Sequence, residues 1–318
     1  MSELPSTAGK DVAEAGSDAS RSLLIGYAFA ATGAILFSSK GIIIKFAYEE
    51  GISAETLLAL RMLMALPVYL VIGAMSIHGR LKRAEALPGA GLLIRAALVG
   101  VMGYWFASYL DFLSLSLISA QFNRLILFTY PLFVVIFGAL FFGQAITLRA
   151  VLAFAIAYLG IAFIFAGKLT DFGSHVVLGS AFVLGAAMTF GLYQLIAKRP
   201  IALIGPRLFT CVAMTAAGTM AVLQFLIVEP VSALAVSPAV LGWSFLLAIG
   251  ATVIPSFFLN AALQRIPAQA NATIGMISPV VTIILAIVLL GEALTGRDVI
   301  GTLLVIAGVG WYTLGGRR

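Results

Sequence analysis

Five ionisable side chains lie inside or at the edge of long apolar stretches of this sequence, and they are the first candidates for chemistry. They are Lys40, Lys45, Arg61, Asp111 and Arg124. A charged side chain inside a membrane span costs about 2.5 to 3.5 kcal/mol on insertion scales, so each needs a partner or a wet surface. These charges suit the binding of a small charged or zwitterionic molecule.

Asp111 and Arg124 lie near the facing ends of two consecutive apolar stretches. At about 1.5 Å per residue, both lie roughly 6 to 8 Å from the turn that connects the stretches. We therefore expect the two to form a neutralised pair. That pair is either a structural clamp or part of a substrate or proton site.

Lys40 is then left without an acidic partner inside the apolar stretches. Ser38 and Ser39 precede it and Gly41 follows it, which is a polar break of small residues in an apolar run. We expect Lys40 to bind an anionic group of a substrate. Arg61 also lacks an acid, and we expect its long side chain to extend to the outer lipid headgroups.

Polar side chains at helical spacing extend this candidate site. Tyr104, Ser108 and Asp111 share one helix face, and Gln121 shares another with Arg124. A small-molecule site is mostly apolar with a few convergent polar groups. The predicted substrate-binding residues are Lys40, Tyr104, Ser108, Asp111, Gln121, Asn123, Arg124, Tyr193, Gln194, Asn260 and Asn271.

Other kinds of chemistry find little support in the sequence. The two histidines, His78 and His175, lie in or beside loops, and Asp111 is the only carboxylate well inside an apolar stretch. We therefore expect no metal site, no cofactor and no catalytic residue, and an intramembrane enzyme is the less favoured alternative. Cys211 is the only cysteine, which excludes an intramolecular disulfide.

The elements that must position these residues are membrane helices. Hydrophobic residues make up 62% of the 318-residue chain, charged residues make up 10%, and the mean hydropathy is +1.11. Such values are typical of integral membrane proteins. Stretches long enough to span a bilayer lie at 22–47, 54–77, 92–115, 119–142, 148–166, 176–197, 206–228, 239–262, 268–290 and 296–315. Continuous apolar runs favour helices over the alternating strands of a barrel.

The sequence also repeats internally, because residues 118–167 recur at 266–315 with a constant offset of 148. The fourth and fifth stretches match the ninth and tenth, so the repeat unit has five helices. Weaker identities link the first and sixth stretches at an offset of 153. Since five is odd, the two halves, 22–166 and 176–315, are predicted to be inverted in the membrane, as in many transporters.

The distribution of basic residues predicts the orientation. One set of loops and termini holds Lys10, Arg21, Arg80, Lys82, Arg83, Arg95, Arg149, Lys198, Arg199, Arg207, Arg265, Arg317 and Arg318, and the other holds only Lys168 and Arg297. The excess marks the cytoplasmic side, so both termini are predicted to be cytoplasmic. The net charge of +6 is explained by this topology, and no nucleic-acid partner is expected. Residues 1–21 are predicted to form a disordered tail.

Two prolines and several glycines mark positions where helices bend or pack closely. Pro131 and Pro279 occupy matching repeat positions, and each is predicted to kink its helix. Gly301, Gly308 and Gly310 in the tenth stretch favour close packing within one chain. A homodimer through this stretch is the alternative.

These residues resemble the drug/metabolite transporter superfamily in its ten-helix form with two EamA-type domains. The resemblance rests on residues 33–40, 43–45 and 59–61 near the start, and on Pro279, 291–295 and 308–310 near the end. Phe37 departs from the tryptophan that is frequent in the family, and Gln144 replaces the acid found as Glu292. The resemblance implies two inverted five-helix bundles around a cavity lined by the first, third, fourth, sixth, eighth and ninth spans.

Together these features predict a secondary transporter in a bacterial inner membrane that works by alternating access. The resemblance implies export of an amino acid or a related carboxylate-bearing metabolite. Alternatives are uptake or exchange of a phosphate-bearing or nucleoside-type compound. The expected partners are this small molecule and the lipid bilayer.

Overall fold

The computed structural model describes residues 7–118, 120–165, 175–290 and 296–314, and this part of the chain is helical without any strand. The helices are α1 Thr7–Ser38, α2 Lys40–Glu49, α3 Ala54–Lys82, α4 Ala90–Gly100, α5 Ala107–Leu117, α6 Ala120–Leu127, α7 Tyr130–Phe142, α8 Leu148–Phe165, α9 Val176–Ile204, α10 Pro206–Val228, α11 Pro238–Ala248, α12 Ile254–Arg265, α13 Ala268–Gly275, α14 Ser278–Leu290 and α15 Gly296–Leu314. Short π-helical segments, Val101–Phe106 and Ile249–Val253, join α4 to α5 and α11 to α12.

These helices reproduce the predicted spans. Six continuous helical stretches are long and apolar enough to cross a membrane, namely Ser20–Glu49, Ala54–Lys82, Ala90–Leu117, Val176–Ile204, Pro206–Val228 and Pro238–Arg265. Shorter apolar helices lie at Tyr130–Phe142, Leu148–Gly160 and Val299–Gly308. The prediction of an all-helical membrane protein with about ten spans is therefore confirmed.

The first helix begins earlier than the sequence predicted. α1 starts at Thr7, so it includes most of the segment that we expected to be a disordered tail. Extending an existing helix fixes one residue for each new hydrogen bond, whereas nucleating a separate helix is costly. The helix of the first span therefore extends toward the N-terminus into the preceding residues.

Serine side chains explain where the first span is interrupted. The Ser38 hydroxyl donates to the carbonyl of Ala34 at 2.7 Å, and the Ser39 hydroxyl donates to the carbonyl of Leu36 at 2.9 Å. Hydroxyls that bond back to the preceding turn compete with the helical ladder and bend the helix. The break at Ser39 separates α1 from α2 and places Lys40 at the start of the second segment.

Four further interruptions fall at matching positions of the two halves. The π-helical segments of the third and eighth spans begin at Val101 and Ile249, which differ by the repeat offset of 148. Turns at 128–129 and 276–277 interrupt the fourth and ninth spans, again at that offset. π-Helical segments are frequent at functional sites, and no sequence pattern predicted these two.

The predicted kinks at Pro131 and Pro279 are breaks in the structure. Pro131 lies in the first turn of α7, where its missing N–H is tolerated. The Tyr158 hydroxyl donates to the carbonyl of Phe128 at 2.7 Å, beside this break. The backbone of Pro279 lies at the equivalent place in α14, while its side chain is outside the described part.

The two halves pack against each other through equivalent pairs of helices. α1 packs against α12, and α9 packs against α5, so the first span of each half lies on the third span of the other. Gly26 and Gly179 allow the close approach. A Cβ added at either glycine would lie 2.7 Å from a methyl group, that of Ile266 or Ile118 respectively.

The fifth and tenth spans pack together through small residues. A Cβ at Gly160 would lie 2.6 Å from the carbonyl oxygen of Gly301, and one at Gly308 would lie 2.7 Å from that of Ala153. α8 and α15 are therefore in backbone contact. The glycines of the tenth span that are described serve packing within one chain, as the sequence favoured.

Candidate functional site

A cavity of about 110 Å³ lies between the two halves. Its wall combines small, aromatic and charged side chains from six spans. It is lined by Ala30, Ala34, Phe37, Lys40, Gly103, Tyr104, Ala107, Ser108, Asp111, Arg124, Leu127, Phe128, Tyr130, Ala186, Phe190, Leu259, Asn271, Gly275 and Ser278. These residues belong to the first, third, fourth, sixth, eighth and ninth spans, the six that the family resemblance implied.

Lys40 and Asp111 form a buried ion pair in this wall. The Lys40 Nζ lies 2.8 Å from Oδ2 of Asp111, and the two residues are 8% and 2% exposed. The other carboxylate oxygen accepts a hydrogen bond of 3.1 Å from Nδ2 of Asn123, which also donates to the Ser114 hydroxyl. Asn123 therefore orients the acid from behind the cavity.

This pair corrects two predictions from the sequence. We expected Asp111 to pair with Arg124 and Lys40 to lack an acid, but the ion pair joins Lys40 to Asp111. Depth along consecutive helices does not reveal a partner on a helix farther away in the sequence. Helix α2 packs against α5, and this contact between helices far apart in the sequence brings Lys40 to the acid.

Arg124 lies in the cavity wall, and no acid in the described part of the chain forms an ion pair with it. It is 5% exposed, and its Nε and Nη2 atoms are buried without a hydrogen-bond partner in the described part of the chain. The guanidinium packs against Gly41, where an added Cβ would lie 2.8 Å from Nη2 and 3.0 Å from Nε. A glycine at position 41 therefore makes room for this cation.

Arg61 is buried as well, so the prediction that it reaches the outer headgroups is wrong. It is 2% exposed, and its guanidinium lies 5.0 Å from the centroid of the Phe112 ring. The Lys40 ammonium lies 5.2 Å from the same ring. Attraction between a cation and an aromatic face explains how a guanidinium can be held in the interior. Arg61 does not line the cavity.

A neutral hydrogen-bond network occupies the opposite part of the site. The Tyr104 hydroxyl lies 2.9 Å from that of Tyr193 and accepts a bond of 3.0 Å from Asn260. Asn260 also donates to the Thr210 hydroxyl at 2.9 Å. Tyr104 faces the cavity, whereas Tyr193 and Asn260 lie behind it and fix the tyrosine in place.

The remaining predicted residues divide between the cavity and its surroundings. Asn271 and Ser108 line the cavity. Nδ2 of Asn271 donates to Oε1 of Gln194 at 2.8 Å, so Gln194 supports it from the sixth span. The side chain of Gln121 lies outside the described part.

Several residues that line the cavity were not predicted as site residues. Phe37, Phe190 and Tyr130 form an aromatic part of the wall, and the Tyr130 and Phe190 rings meet edge to face with centroids 5.3 Å apart. Phe37 recurs as Phe190 at the offset of 153, which was the available signal. Ser278 bonds to Ser38 across the halves, a contact without a local signal.

Among the described residues, no three His, Cys, Asp or Glu side chains lie close enough together to hold a metal ion. The polar groups that face the cavity are instead an ammonium, a carboxylate, a guanidinium, hydroxyls and an amide. Such groups bind a ligand by charge and hydrogen bonds.

Comparisons with known proteins agree with this architecture. The profile of the EamA-like transporter family matches residues 24–166 and again 177–314. The uncharacterized transporter YcbK of Bacillus subtilis is 28% identical over 291 residues, which cover 88% of this chain and 90% of YcbK. The threonine/homoserine exporter RhtA of Salmonella typhimurium is 30% identical over 151 residues, 46% of this chain and 48% of the exporter.

A solved crystal structure has a similar fold. It superposes with a TM-score of 0.73 over 92% of this chain and 98% of that one, at 19% sequence identity, so the likeness concerns the fold alone. The two family matches cover nearly the whole chain, including all six spans that line the cavity. The protein is an integral membrane protein that belongs to the EamA-like transporter family.

Proposed function

We propose that this protein is a secondary transporter that exports a small carboxylate-bearing metabolite, with an amino acid as the leading class. The observation that carries the proposal is the composition of the cavity wall. Lys40, Asp111 and Arg124 face the same cavity as several aromatic rings. A binding site for a small amphiphilic molecule has this character, mostly apolar with a few convergent polar groups.

The charges of the wall fit a zwitterion. Asp111 is an acceptor that faces the cavity, so it suits a substrate amine, and two cations lie beside it. Lys40, Asp111 and Arg124 together carry one net positive charge. A substrate carboxylate would neutralise this charge in a region where an uncompensated charge is costly.

The size of the cavity favours a small substrate. The volume of about 110 Å³ lies below the roughly 300 to 1,000 Å³ of pockets that hold drug-sized ligands. A nucleoside-type substrate would require a considerably wider conformation.

The match to RhtA supports amino acids and export over uptake or exchange. That relative is a threonine/homoserine exporter, and it resembles about half of this chain. L-Threonine and L-homoserine are therefore the first compounds to test. Other amino acids and carboxylates of similar size follow.

Alternating access in this proposal uses the interruptions of the cavity-lining helices. Breaks in the first, fourth and ninth spans and the π-helical segment of the third span lie beside the cavity, and the eighth span has a π-helical segment at the equivalent position of the repeat. Broken helices at a central site are a common feature of secondary transporters. The two halves, inverted in a bacterial inner membrane with both termini in the cytoplasm, would rock around this site.

Flux measurements in proteoliposomes test the proposed function. Purified protein is reconstituted, and uptake of labelled L-threonine is measured with and without unlabelled L-threonine inside. A carrier gives saturable uptake that internal substrate stimulates, whereas a channel does not. A thermal-shift screen of amino acids and other carboxylates extends the search, because a ligand raises the apparent stability. If no carboxylate shifts the stability or crosses the membrane, the proposed function is wrong.

A further inference from the structure

We propose that Arg124 is the group that binds the carboxylate of the substrate, and that Gly41 is the positioning residue that makes this possible. This inference rests on the proposed function, because it names the receptor for the carboxylate within the same cavity. It differs from the expectation from sequence, which gave this role to Lys40.

Lys40 is already engaged in the structure. Its ammonium lies 2.8 Å from Oδ2 of Asp111, inside a protein region where both groups are almost fully buried. A carboxylate that bound to Lys40 would have to compete with this ion pair, and it would approach the negative charge of Asp111. Binding there would therefore exchange one ion pair for another and leave an acid unpaired.

Arg124 offers two donors that no other described residue uses. Its Nε and Nη2 atoms are buried and have no hydrogen-bond partner among the described residues, although the residue lines the cavity. A guanidinium presents its N–H groups in a planar fork that matches a carboxylate. A buried cation without a counter-charge is unfavourable. An anion that enters the cavity would supply that counter-charge and the missing hydrogen-bond acceptors.

Gly41 sets the position of this guanidinium. The absence of a side chain at Gly41 lets the guanidinium lie against helix α2, next to Lys40, because an added Cβ would lie 2.8 Å from Nη2. Any other residue at position 41 would push the guanidinium away from α2. The small residue after Lys40 therefore has a role that the helix break alone does not explain.

The second half of the protein lacks this receptor. The repeat offset of 148 relates Arg124 to Ala272, which is buried, and relates Asn123 to Asn271. The cavity therefore has a cationic side and a neutral side. The geometry points to one carboxylate per cavity, bound on the side of the first half.

The test compares an acid with its uncharged amide. Affinities of the purified protein for L-threonine and L-threoninamide are measured by calorimetry or thermal shift, for the wild type and for Arg124→Gln. Loss of a charge-assisted hydrogen bond corresponds to about ten- to hundredfold in affinity. We expect Arg124→Gln to lose this factor for threonine while its affinity for threoninamide changes little.

Three further variants separate binding from folding. Arg61→Gln is the matched control, because the Arg61 guanidinium is also buried, with Nε and Nη2 lacking a hydrogen-bond partner among the described residues, but it lies away from the cavity. It should keep the wild-type preference for the acid over the amide. Arg124→Lys keeps the charge without the fork and should recover part of the preference. Gly41→Ala should weaken threonine binding without removing any charge.

Each outcome decides between the assignments. If Arg124→Gln keeps the preference for threonine, the role of Arg124 is refuted while the proposed transport of carboxylates stands. If Arg61→Gln loses the preference as well, the effect belongs to the total charge and not to Arg124. If the wild type binds inorganic phosphate but none of the carboxylates tested, both this inference and the proposed function are wrong.

Discussion

At the scale of single residues, the two halves join their first and third spans with different chemistry. In the first half Lys40 binds Asp111, and in the second half Tyr193 binds Asn260. Lys40 and Tyr193 occupy corresponding positions at the offset of 153. One link is therefore charged and the other neutral, and the charged pair lines the cavity while the neutral pair lies behind Tyr104. This difference gives a symmetric framework an asymmetric site.

The buried ion pair leads to a prediction about stability. Lys40→Met should destabilise the protein by about 3 to 5 kcal/mol, because it leaves Asp111 buried without its counter-charge. Asp111→Asn should act in the same direction by leaving Lys40 unpaired. Thermal or denaturant unfolding in detergent measures the stability of both variants.

The double variant provides the control for this prediction. Lys40→Met combined with Asp111→Asn should lose less stability than the sum of the single changes, since the second change removes the orphaned charge. Strictly additive losses would show that the pair contributes no coupling energy.

At the scale of elements, two lysines hold the ends of the helices in the third and eighth spans. The Lys45 ammonium donates to the carbonyls of Leu115 and Ile118 at 2.7 and 3.0 Å, and Lys198 donates to the carbonyl of Ile266 at 2.8 Å. The last carbonyls of a helix lack partners within it and carry partial negative charge. Each lysine therefore ties the first span of its half to the third.

These lysine contacts give a second prediction. Lys45→Met and Lys198→Met should each lower the free energy of unfolding by about 1 to 2 kcal/mol, the range for a cation at a partly buried helix end. Arginine at either position can still donate to the carbonyls and should retain part of the stability. Unfolding curves that match the wild type for both methionine variants would contradict this role.

The contact between α8 and α15 gives a third prediction, with a glycine elsewhere as its control. Gly308→Ala should destabilise the protein by about 1 to 3 kcal/mol, because the new methyl group meets the backbone of α8. Gly79→Ala lies in helix α3 with open space around the new methyl group, so it should be neutral or slightly stabilising. Equal melting temperatures for the two variants would argue against the close contact.

At the scale of the whole molecule, the recurrence in sequence corresponds to a recurrence in contacts. α1 on α12 and α9 on α5 are equivalent pairs, and the pairs of α3 with α10 and of α8 with α15 each join corresponding spans. The charged residues that line the cavity, Lys40, Asp111 and Arg124, all belong to the first half. The proposed carboxylate site therefore lies on one side of a symmetric framework.

Orientation gives the prediction for the whole chain. Cysteine labels introduced at positions 10 and 317, in a variant without Cys211, should both react from the cytoplasmic side only. The reason is the excess of Lys and Arg in one set of loops and termini. Labels that react from opposite sides would exclude an even number of spans and with it the inverted arrangement of two five-helix halves.

The sequence by itself determined the membrane class, the helical spans and the places where paired spans break. Helix α10 has the predicted bounds of 206–228, and Pro131 and Pro279 lie at the two matching breaks. These features are local. An apolar run in a membrane must form its backbone hydrogen bonds within its own helix. A proline removes one particular backbone hydrogen bond regardless of what the helix packs against.

Only the tertiary structure decided which charges meet. Asp111 pairs with Lys40 and not with Arg124, and Arg61 is buried against Phe112 instead of reaching the lipid headgroups. Spacing along a helix gives the depth of a side chain, but its partner depends on the rotation and neighbours of helices far apart in the sequence. The free donors of Arg124, and the space that Gly41 leaves for them, arise from such contacts.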